Sequence, residues 1–289
     1  MYGVHGSSWV AMGDPVGPPD VVEELAWKFR EMVERHGGQT LFYEVGTSMM
    51  HVYLDMGLAL FKLGEEATVN LADFSLEGKK CRNLRYTFRH LNKEGCSFTM
   101  HPPSDVQELL PQLREISDSW LSDKNSSEKG FSLGFFKESY LVNFPVAVVR
   151  QDNEIVAFSN IWTTDCKHEM SIDLMRFSSS APKNVMDYLF ICLMLWGKEQ
   201  GYQSFNLGMA PLSGLENRPF APLWNRIGSV VFQHGEQLYN FDGLRNYKEK
   251  FSPIWNPRYL VCSGNFSLPR CLINISTLIS GDVKGIFTK

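Results

Sequence analysis

No apolar run in this sequence reaches the ~18 residues a membrane-spanning helix needs. The longest candidate, residues 188–197, fits a buried core helix instead. A large excess of one charge is missing too. With 28 basic and 32 acidic residues the formal net charge is −4, which excludes a uniform basic field but leaves room for local basic patches. The six cysteines (Cys81, Cys96, Cys166, Cys192, Cys262 and Cys271) form no CxxC pair and read as reduced, mostly packing thiols of a cytoplasmic protein. There is no GxSxG elbow, no P-loop and no GxGxxG at a strand–helix turn. The histidines are scattered, without HExxH or Cys/His metal spacing. Neither a metal nor a cofactor is therefore expected. No signal peptide is expected, because Met1 runs straight into YGVHGSSWVAMGDP, which reads as a strand pair. Such a start suits a domain cut from a longer protein.

What remains is a chain of 289 residues, 44% hydrophobic and 13% aromatic, enough for a packed core and, by length, about two domains. Strands are expected at residues 2–4 and 9–12, then a helix capped by Asp20 that ends at Gly37-Gly38, with Leu25, Phe29, Met32 and Val33 on its core face. Further strands are expected at 40–45, 58–63 and 67–71, and a short helix at 48–56. Residues 97–101 read as a strand and 104–121 as a helix. The most polar, turn-rich stretch, 122–130, marks the expected linker. It divides the chain into domains 1–125 and 126–289. Beyond it, 144–150 and 155–163 read as a hairpin. A Pro-rich loop is expected at 213–225, a short strand at 229–232, a helix at 241–251, a strand at 255–263 and a closing helix from 268 to 279.

The stretch 168–211 organises the whole. It reads as a strand (168–177) carrying Asp173 and Arg176, a helix with Pro182 in its first turn and Gly201 at its end, and a second strand from 204. Asp173 and Arg176 are either a structural ion pair or edge charges, or they are used in chemistry, because a buried charge costs free energy unless paired. Residues three apart on a regular strand face opposite sides. Both can serve one site only at a strand end or a bulge.

Residues 78–93 carry Lys79, Lys80, Arg82, Arg85, Arg89 and Lys93 with no acid among them, over a stripe of Leu84, Phe88 and Leu91. This is a helix with a buried face and a basic face. It is either a solvated surface or a contact for an anionic partner. A second basic group, Arg245, Lys248, Lys250 and Arg258, interleaves with Tyr247, Phe251 and Trp255, a composition that fits a single-stranded nucleic acid end or an ordinary solvated helix. Phe190, Leu193, Trp196, Phe220, Trp224, Leu272 and Ile275 would line a lipid channel or simply fill a core.

The strand–helix–strand order around Asp173 resembles the acetyltransferase-like (GNAT) fold. The loop that would cradle a CoA pyrophosphate there, residues 176–183, lacks the glycines for close backbone approach, so acetyl-CoA is not the expected donor. Five stretches together carry a more specific resemblance. They are Gly13-Asp-Pro-Val-Gly17; Lys62-Leu-Gly-Glu-Glu-Ala67 with Phe74-Ser-Leu-Glu-Gly-Lys79; Asp173-Leu-Met-Arg176; Asn206-Leu-Gly-Met-Ala-Pro-Leu-Ser213; and Leu244-Arg-Asn-Tyr-Lys-Glu-Lys-Phe-Ser-Pro253 with Pro257-Arg-Tyr-Leu260. In this order they resemble the C-terminal cytoplasmic domain of bacterial phosphatidylglycerol aminoacyltransferases, the multiple-peptide-resistance-factor family.

That resemblance implies an α/β (α+β) fold of two tandem GNAT-like domains, with mixed, mostly antiparallel sheets flanked by helices. It implies transfer of lysine or alanine from aminoacyl-tRNA to a glycerol hydroxyl of phosphatidylglycerol, giving a cationic lipid and resistance to cationic antimicrobial peptides. It also implies a multi-pass membrane domain ahead of this chain, at the cytoplasmic face of the bacterial inner membrane. Within it, Asp173 is expected to handle a proton or hold the aminoacyl ammonium, and Arg176 to meet a phosphate. Lys248, Lys250, Arg245 and Tyr140 are expected at the substrate. Lys79, Lys80, Arg82, Arg85 and Arg89 are expected at the tRNA. A peptidoglycan-bridge aminoacyltransferase and a non-enzymatic tRNA- or membrane-binding module are the alternative readings.

Overall fold

The computed structural model describes residues 1–124, 127–215, 224, 241–264 and 267–280. Along the chain run β1 (Tyr2–His5), β2 (Ser8–Met12), α1 (Val22–Arg35), β3 (Gln39–Val45), α2 (Met50–Asp55), β4 (Ala59–Asn70), α3 (Arg82–Lys93), β5 (Cys96–His101), α4 (Pro103–Asp123) and α5 (Glu138–Leu141). They continue with β6 (Val146–Gln151), β7 (Glu154–Thr163), β8 (Glu169–Phe177), α6 (Val185–Glu199), β9 (Ser204–Pro211), α7 (Phe241–Glu249), β10 (Ile254–Cys262) and α8 (Leu268–Ser280). Among the described residues, no helix is long and apolar enough to cross a membrane.

The chain forms two compact units. The first holds Met1–Ala67 with the described residues of Met209–Glu249 and those from Trp255 onward; the second holds Thr68–Gly208 and Lys250–Ile254. The expected boundary at 125/126 therefore falls inside the second unit. The reason is hydrophobic. Val106, Leu109, Leu110, Leu113 and Ile116 of α4 share one core with Leu141, Val146, Val148, Ile155, Phe158 and Leu174, so a cut at the polar linker would split it. A polar surface turn looks the same in sequence whether it joins two domains or two elements of one.

In the first unit the strand order is β1-β2-β3-β10-β4. β1 and β2 are antiparallel, β2 and β3 parallel, and β3 and β10 antiparallel. Gly6 makes the first turn at φ +56°, a value glycine adopts without strain. The core joins Ala26, Phe42, Val45, Val52, Tyr53, Met56, Leu58 and Val261. α1 differs from expectation at two points. It begins without a side-chain cap, and not from Asp20. Its buried face runs through Ala26 and Val33, with Phe29 partly buried, while Leu25 is exposed. The two short strands expected at 58–63 and 67–71 are one continuous strand, β4.

In the second unit the order is β9-β8-β7-β6-β5. β5, β6, β7 and β8 pair antiparallel. β8 and β9 run parallel and pair only over Glu169–Ser171 and Ser204–Asn206. The hairpin turn at Asp152 and Asn153 takes positive φ at both positions, as a two-residue turn requires. α6 is buried almost all round from Val185 to Met194, which makes it a core helix. Phe190 and Leu193 therefore belong to the core, as does Ile275 of α8. Phe220 and the strand expected at 229–232 lie outside the described residues. Trp224 donates its indole N–H to the Lys62 carbonyl at 2.8 Å.

The shared core sets an expected outcome. Leu113→Ala, at a side chain with no exposure, should cost about 2–5 kcal/mol in denaturant unfolding. A fragment of residues 126–289 should not unfold cooperatively by itself. A sharp calorimetric transition from that fragment would contradict the shared core.

Candidate functional site

The irregular point of the second sheet is at Asp173. Ser159 lies opposite Met175 and Ile161 opposite Ile172, so Asn160 on β7 faces two residues, Asp173 and Leu174, on β8. This is a β-bulge. Asn160 is fully buried and clamps it from both sides. Its Nδ2 donates to Asp173 Oδ2 at 3.2 Å, and its Oδ1 accepts from the Leu174 N–H at 2.8 Å. The extra residue shifts the in–out alternation of the strand. Leu174 packs in the core against α4, and Arg176, two residues on, lays its guanidinium 4.2 Å over the Trp120 ring of the same helix. Asp173 reaches Tyr140 on α5. The bulge thus meets the demand posed by three-residue spacing and brings acid and base to one side of the strand.

Asp173 is held by a chain of donors. Tyr140 donates its hydroxyl to Oδ2 at 3.0 Å, and Trp162 donates its indole N–H to the Tyr140 oxygen at 2.9 Å. Burial, reinforced by the charge of Asp173, pushes the Tyr140 pKa up to about 12, so at neutral pH it stays a proton donor. Gly134 lies so close that a Cβ there would sit 2.6 Å from Asp173 Oδ1; only glycine allows this backbone approach. Arg176 is buried. It pairs with Glu128 at 3.1 Å and donates to the Met175 carbonyl at 3.0 Å. Its Nε is buried without a partner among the described residues. Burial lowers its pKa, against the pull of Glu128, but a guanidinium stays charged.

A second charged cluster lies within the first unit. On β4, Lys62 pairs with Glu65 at 2.9 Å and also donates to the Gly214 carbonyl. Glu65 further accepts from Ser213 at 3.0 Å and from Arg245, whose guanidinium stacks 4.1 Å over Trp255. Burial works to raise the Glu65 pKa, but the bonds from Lys62 and Arg245 outweigh it and hold the carboxyl below its usual range. Glu66 pairs with Arg258. Lys248 is buried and donates to the Met209 carbonyl at 2.8 Å. Burial lowers its pKa to about 8, against the attraction of Glu44 and Glu66. Glu44 sits at φ +62°, a strained value for a side chain of this kind. Burial raises its pKa to about 7.

The structure sorts the remaining expected residues. Lys250 binds Asp187, the buried acid in the first turn of α6, at 3.0 Å. Arg245, Lys248, Lys250 and Arg258 thus each engage an acid or a carbonyl and do not form one open basic surface. Lys79, Lys80, Arg82 and Arg89 are exposed at the start of α3 and along it. Arg85 differs from them: it is partly buried and donates to the carbonyls of Leu76 and Gly78. Sequence reasoning missed Asn160, Glu44, Glu65 and Glu66. Glu65 and Glu66 stood inside a quoted motif as adjacent acids, between the two strands expected there. Asn160 and Glu44 carry no sequence signal, because each acts through a backbone irregularity.

The family model for the C-terminal domain of phosphatidylglycerol lysyltransferase matches residues 1–262. The phosphatidylglycerol lysyltransferase of Bacillus subtilis is 39% identical over 98% of this chain, and that of Staphylococcus xylosus 38% over 96%. The chain spans about a third of the length of these curated relatives, 33% in each case. Among solved structures, the C-terminal domain of a lysylphosphatidylglycerol synthetase from Agrobacterium fabrum is 43% identical, with a TM-score of 0.87 over 97% of this chain and 85% of that one. L-PGS from Bacillus licheniformis is 42% identical, with a TM-score of 0.83 over 96% of this chain and 84% of that one. FemX, at 9% identity and a TM-score of 0.58, shares the fold alone.

Two expected outcomes test this geometry. Asn160→Ala leaves the Leu174 N–H buried and unbonded and should cost about 1–3 kcal/mol of unfolding free energy, read by urea denaturation. Glu44 has a folded pKa raised to about 7 from 4.5. Its contribution is complete below about pH 4.5 and is lost as pH rises to about 7. Relative to Glu44→Gln, the parent should therefore lose up to about 3 kcal/mol across that window. A stability difference that stays flat from pH 4 to 8 would refute the raised pKa.

Proposed function

This chain belongs to the phosphatidylglycerol lysyltransferase C-terminal family, and we propose that it transfers an aminoacyl group, lysine or alanine, from aminoacyl-tRNA to a glycerol hydroxyl of phosphatidylglycerol. The observation that carries the reading is the bulged Asp173, whose Oδ2 is fixed by Tyr140 and Asn160. One ester is exchanged for another, so no energy source is needed. The lipid hydroxyl attacks the aminoacyl carbonyl, its proton leaves, and the ribose oxygen of the tRNA end takes up a proton as the old ester bond breaks. Asp173, acceptor-only when ionised, orients or receives the hydroxyl proton or holds the aminoacyl ammonium. Tyr140, kept protonated, fixes the carboxylate's direction. A catalytic carboxylate held by two side-chain donors loses little orientational freedom when substrate arrives.

Arg176 is the candidate for a phosphate, of the lipid or of the tRNA end. Its fork matches phosphate oxygens, and the phosphate would take the place that Glu128 occupies at 3.1 Å. In the first unit Arg245, Lys248 and the neighbouring acids Glu65 and Glu66 form a paired polar network suited to positioning a charged substrate. Lys250, exposed beside Asp187, remains a candidate contact. Lys79, Lys80, Arg82 and Arg89 offer the exposed basic face for tRNA phosphates, with Arg85 bracing the turn beneath them. The length of the relatives is consistent with a larger protein that carries an N-terminal membrane domain; a place at the cytoplasmic membrane face is part of the same proposal. The relatives' names favour phosphatidylglycerol over a murein precursor as acceptor.

Incubation with charged tRNA and lipid vesicles tests the reading directly. Labelled aminoacyl lipid is the expected product, whereas transfer only to a murein precursor, or binding without turnover, would refute it. Asp173→Ala and Arg176→Ala should each lower turnover at least about a hundredfold with the fold intact by circular dichroism. Near-normal turnover by either would remove that residue from the mechanism. tRNA affinity should fall with salt by about one log–log unit per phosphate contact, and removing Lys79 and Lys80 together should flatten that slope.

A further inference from the structure

The stretch between α4 and α5 carries a pattern that the transfer chemistry does not use. Residues 129–137 read Lys-Gly-Phe-Ser-Leu-Gly-Phe-Phe-Lys. A lysine stands at each end, no acid lies between, and apolar residues alternate from Phe131 to Phe135. Two anchors fix this stretch. Phe136 packs against the core, edge-on to Phe158 and under the Arg114 guanidinium at 4.8 Å. Gly134 presses its backbone against Asp173. Held this way, Leu133 remains 48% exposed and Phe135 37%. Phe135 stacks parallel on Tyr140 at 6.2 Å, and Trp162, 45% exposed, hydrogen-bonds the same tyrosine. Large apolar side chains thus stand in water around the candidate catalytic carboxylate, an arrangement that marks an interaction surface.

The charges nearby select the partner. Until a phosphate takes its place, Glu128 pairs with Arg176 at 3.1 Å, and Glu138 pairs with Arg114 at 2.8 Å. Lys129 and Lys137 are exposed, so the flanks of the apolar patch are positive. Exposed Trp, Phe and Leu rimmed by lysine is the composition that settles at the headgroup level of an anionic bilayer. The Trp162 indole spends its N–H inward on Tyr140, which leaves its ring to meet an apolar medium.

We propose that Leu133, Phe135 and Trp162, flanked by Lys129 and Lys137, form the surface by which this unit seats on an anionic phospholipid bilayer, with Asp173 at headgroup depth. The inference rests on the lipid-acceptor reading given above and adds where the lipid is met. It assigns the stretch a role in reaching the substrate and none in the chemistry.

The test compares residues 1–289 with Leu133→Glu and with Lys129→Gln/Lys137→Gln, each checked for an unchanged thermal melt. Co-sedimentation uses vesicles of equal parts phosphatidylglycerol and phosphatidylcholine, and vesicles of phosphatidylcholine alone. Turnover is measured with the mixed vesicles and with a short-chain phosphatidylglycerol below its micelle concentration. The parent should bind the mixed vesicles more tightly than the neutral ones. Leu133→Glu should bind the mixed vesicles at least fivefold more weakly and turn them over more slowly, while its turnover of the short-chain lipid stays within twofold. The lysine variant should bind more weakly and with a flatter salt dependence. Unchanged vesicle binding by both variants would overturn the proposal, as would an equal loss of turnover on the soluble lipid, or binding to a protein partner with no affinity for vesicles. If the parent turns over neither lipid yet Leu133→Glu still loses vesicle binding, the surface stands and the transferase reading fails.

Discussion

A single buried amide decides how β8 presents its charged residues. Asn160 gives its N–H to Asp173 and takes the N–H of Leu174, and so stabilises one residue too many on β8. Without that clamp the strand would alternate regularly, and Asp173 and Arg176 would project from opposite faces. With it, Leu174 and Arg176 pack toward α4 and Asp173 meets Tyr140 on α5. The irregularity is costly in ladder hydrogen bonds. The amide side chain offsets that cost by replacing the lost bonds.

Around this point the charges divide into two kinds. Arg176 is buried against an aromatic ring and pairs with the half-buried Glu128, and such a pair stabilises little beyond the desolvation it suffers. Its value is geometric, since it stores a guanidinium in a fixed place. In the first unit, Glu65, Glu66, Arg245 and Arg258 form paired contacts, while Glu44 and Lys248 are pushed by burial toward their neutral forms. A network with two members titrating near neutrality responds to any charge placed beside it.

The secondary structure was largely legible in the sequence because local chemistry sets it. The Asp152-Asn153 hairpin, the apolar α6 and the basic α3 all follow from turn residues and periodicity. Local chemistry failed where tertiary packing decides. The polar stretch after α4 resembles a linker, but the helix before it shares a core with the strands after it. Leu25 fits a helical stripe, yet the sheet beneath selects Ala26 and Val33. Basic residues close in sequence, Arg245, Lys248 and Lys250, part company because a helix end sends each to a different acid or carbonyl.

The sequence by itself determined the residue types, most of the strands and helices, and the family, since five short motifs in a fixed order are a linear property. It identified Asp173, Arg176 and Tyr140 as candidates, and it stated the geometric condition under which the first two could act together. Only the tertiary structure decided that the condition is met by a bulge, that Asn160 holds the bulge, and that Tyr140 closes on Asp173. A bulge depends on the register between two strands. Register is a property of the pairing, and neither strand records it alone.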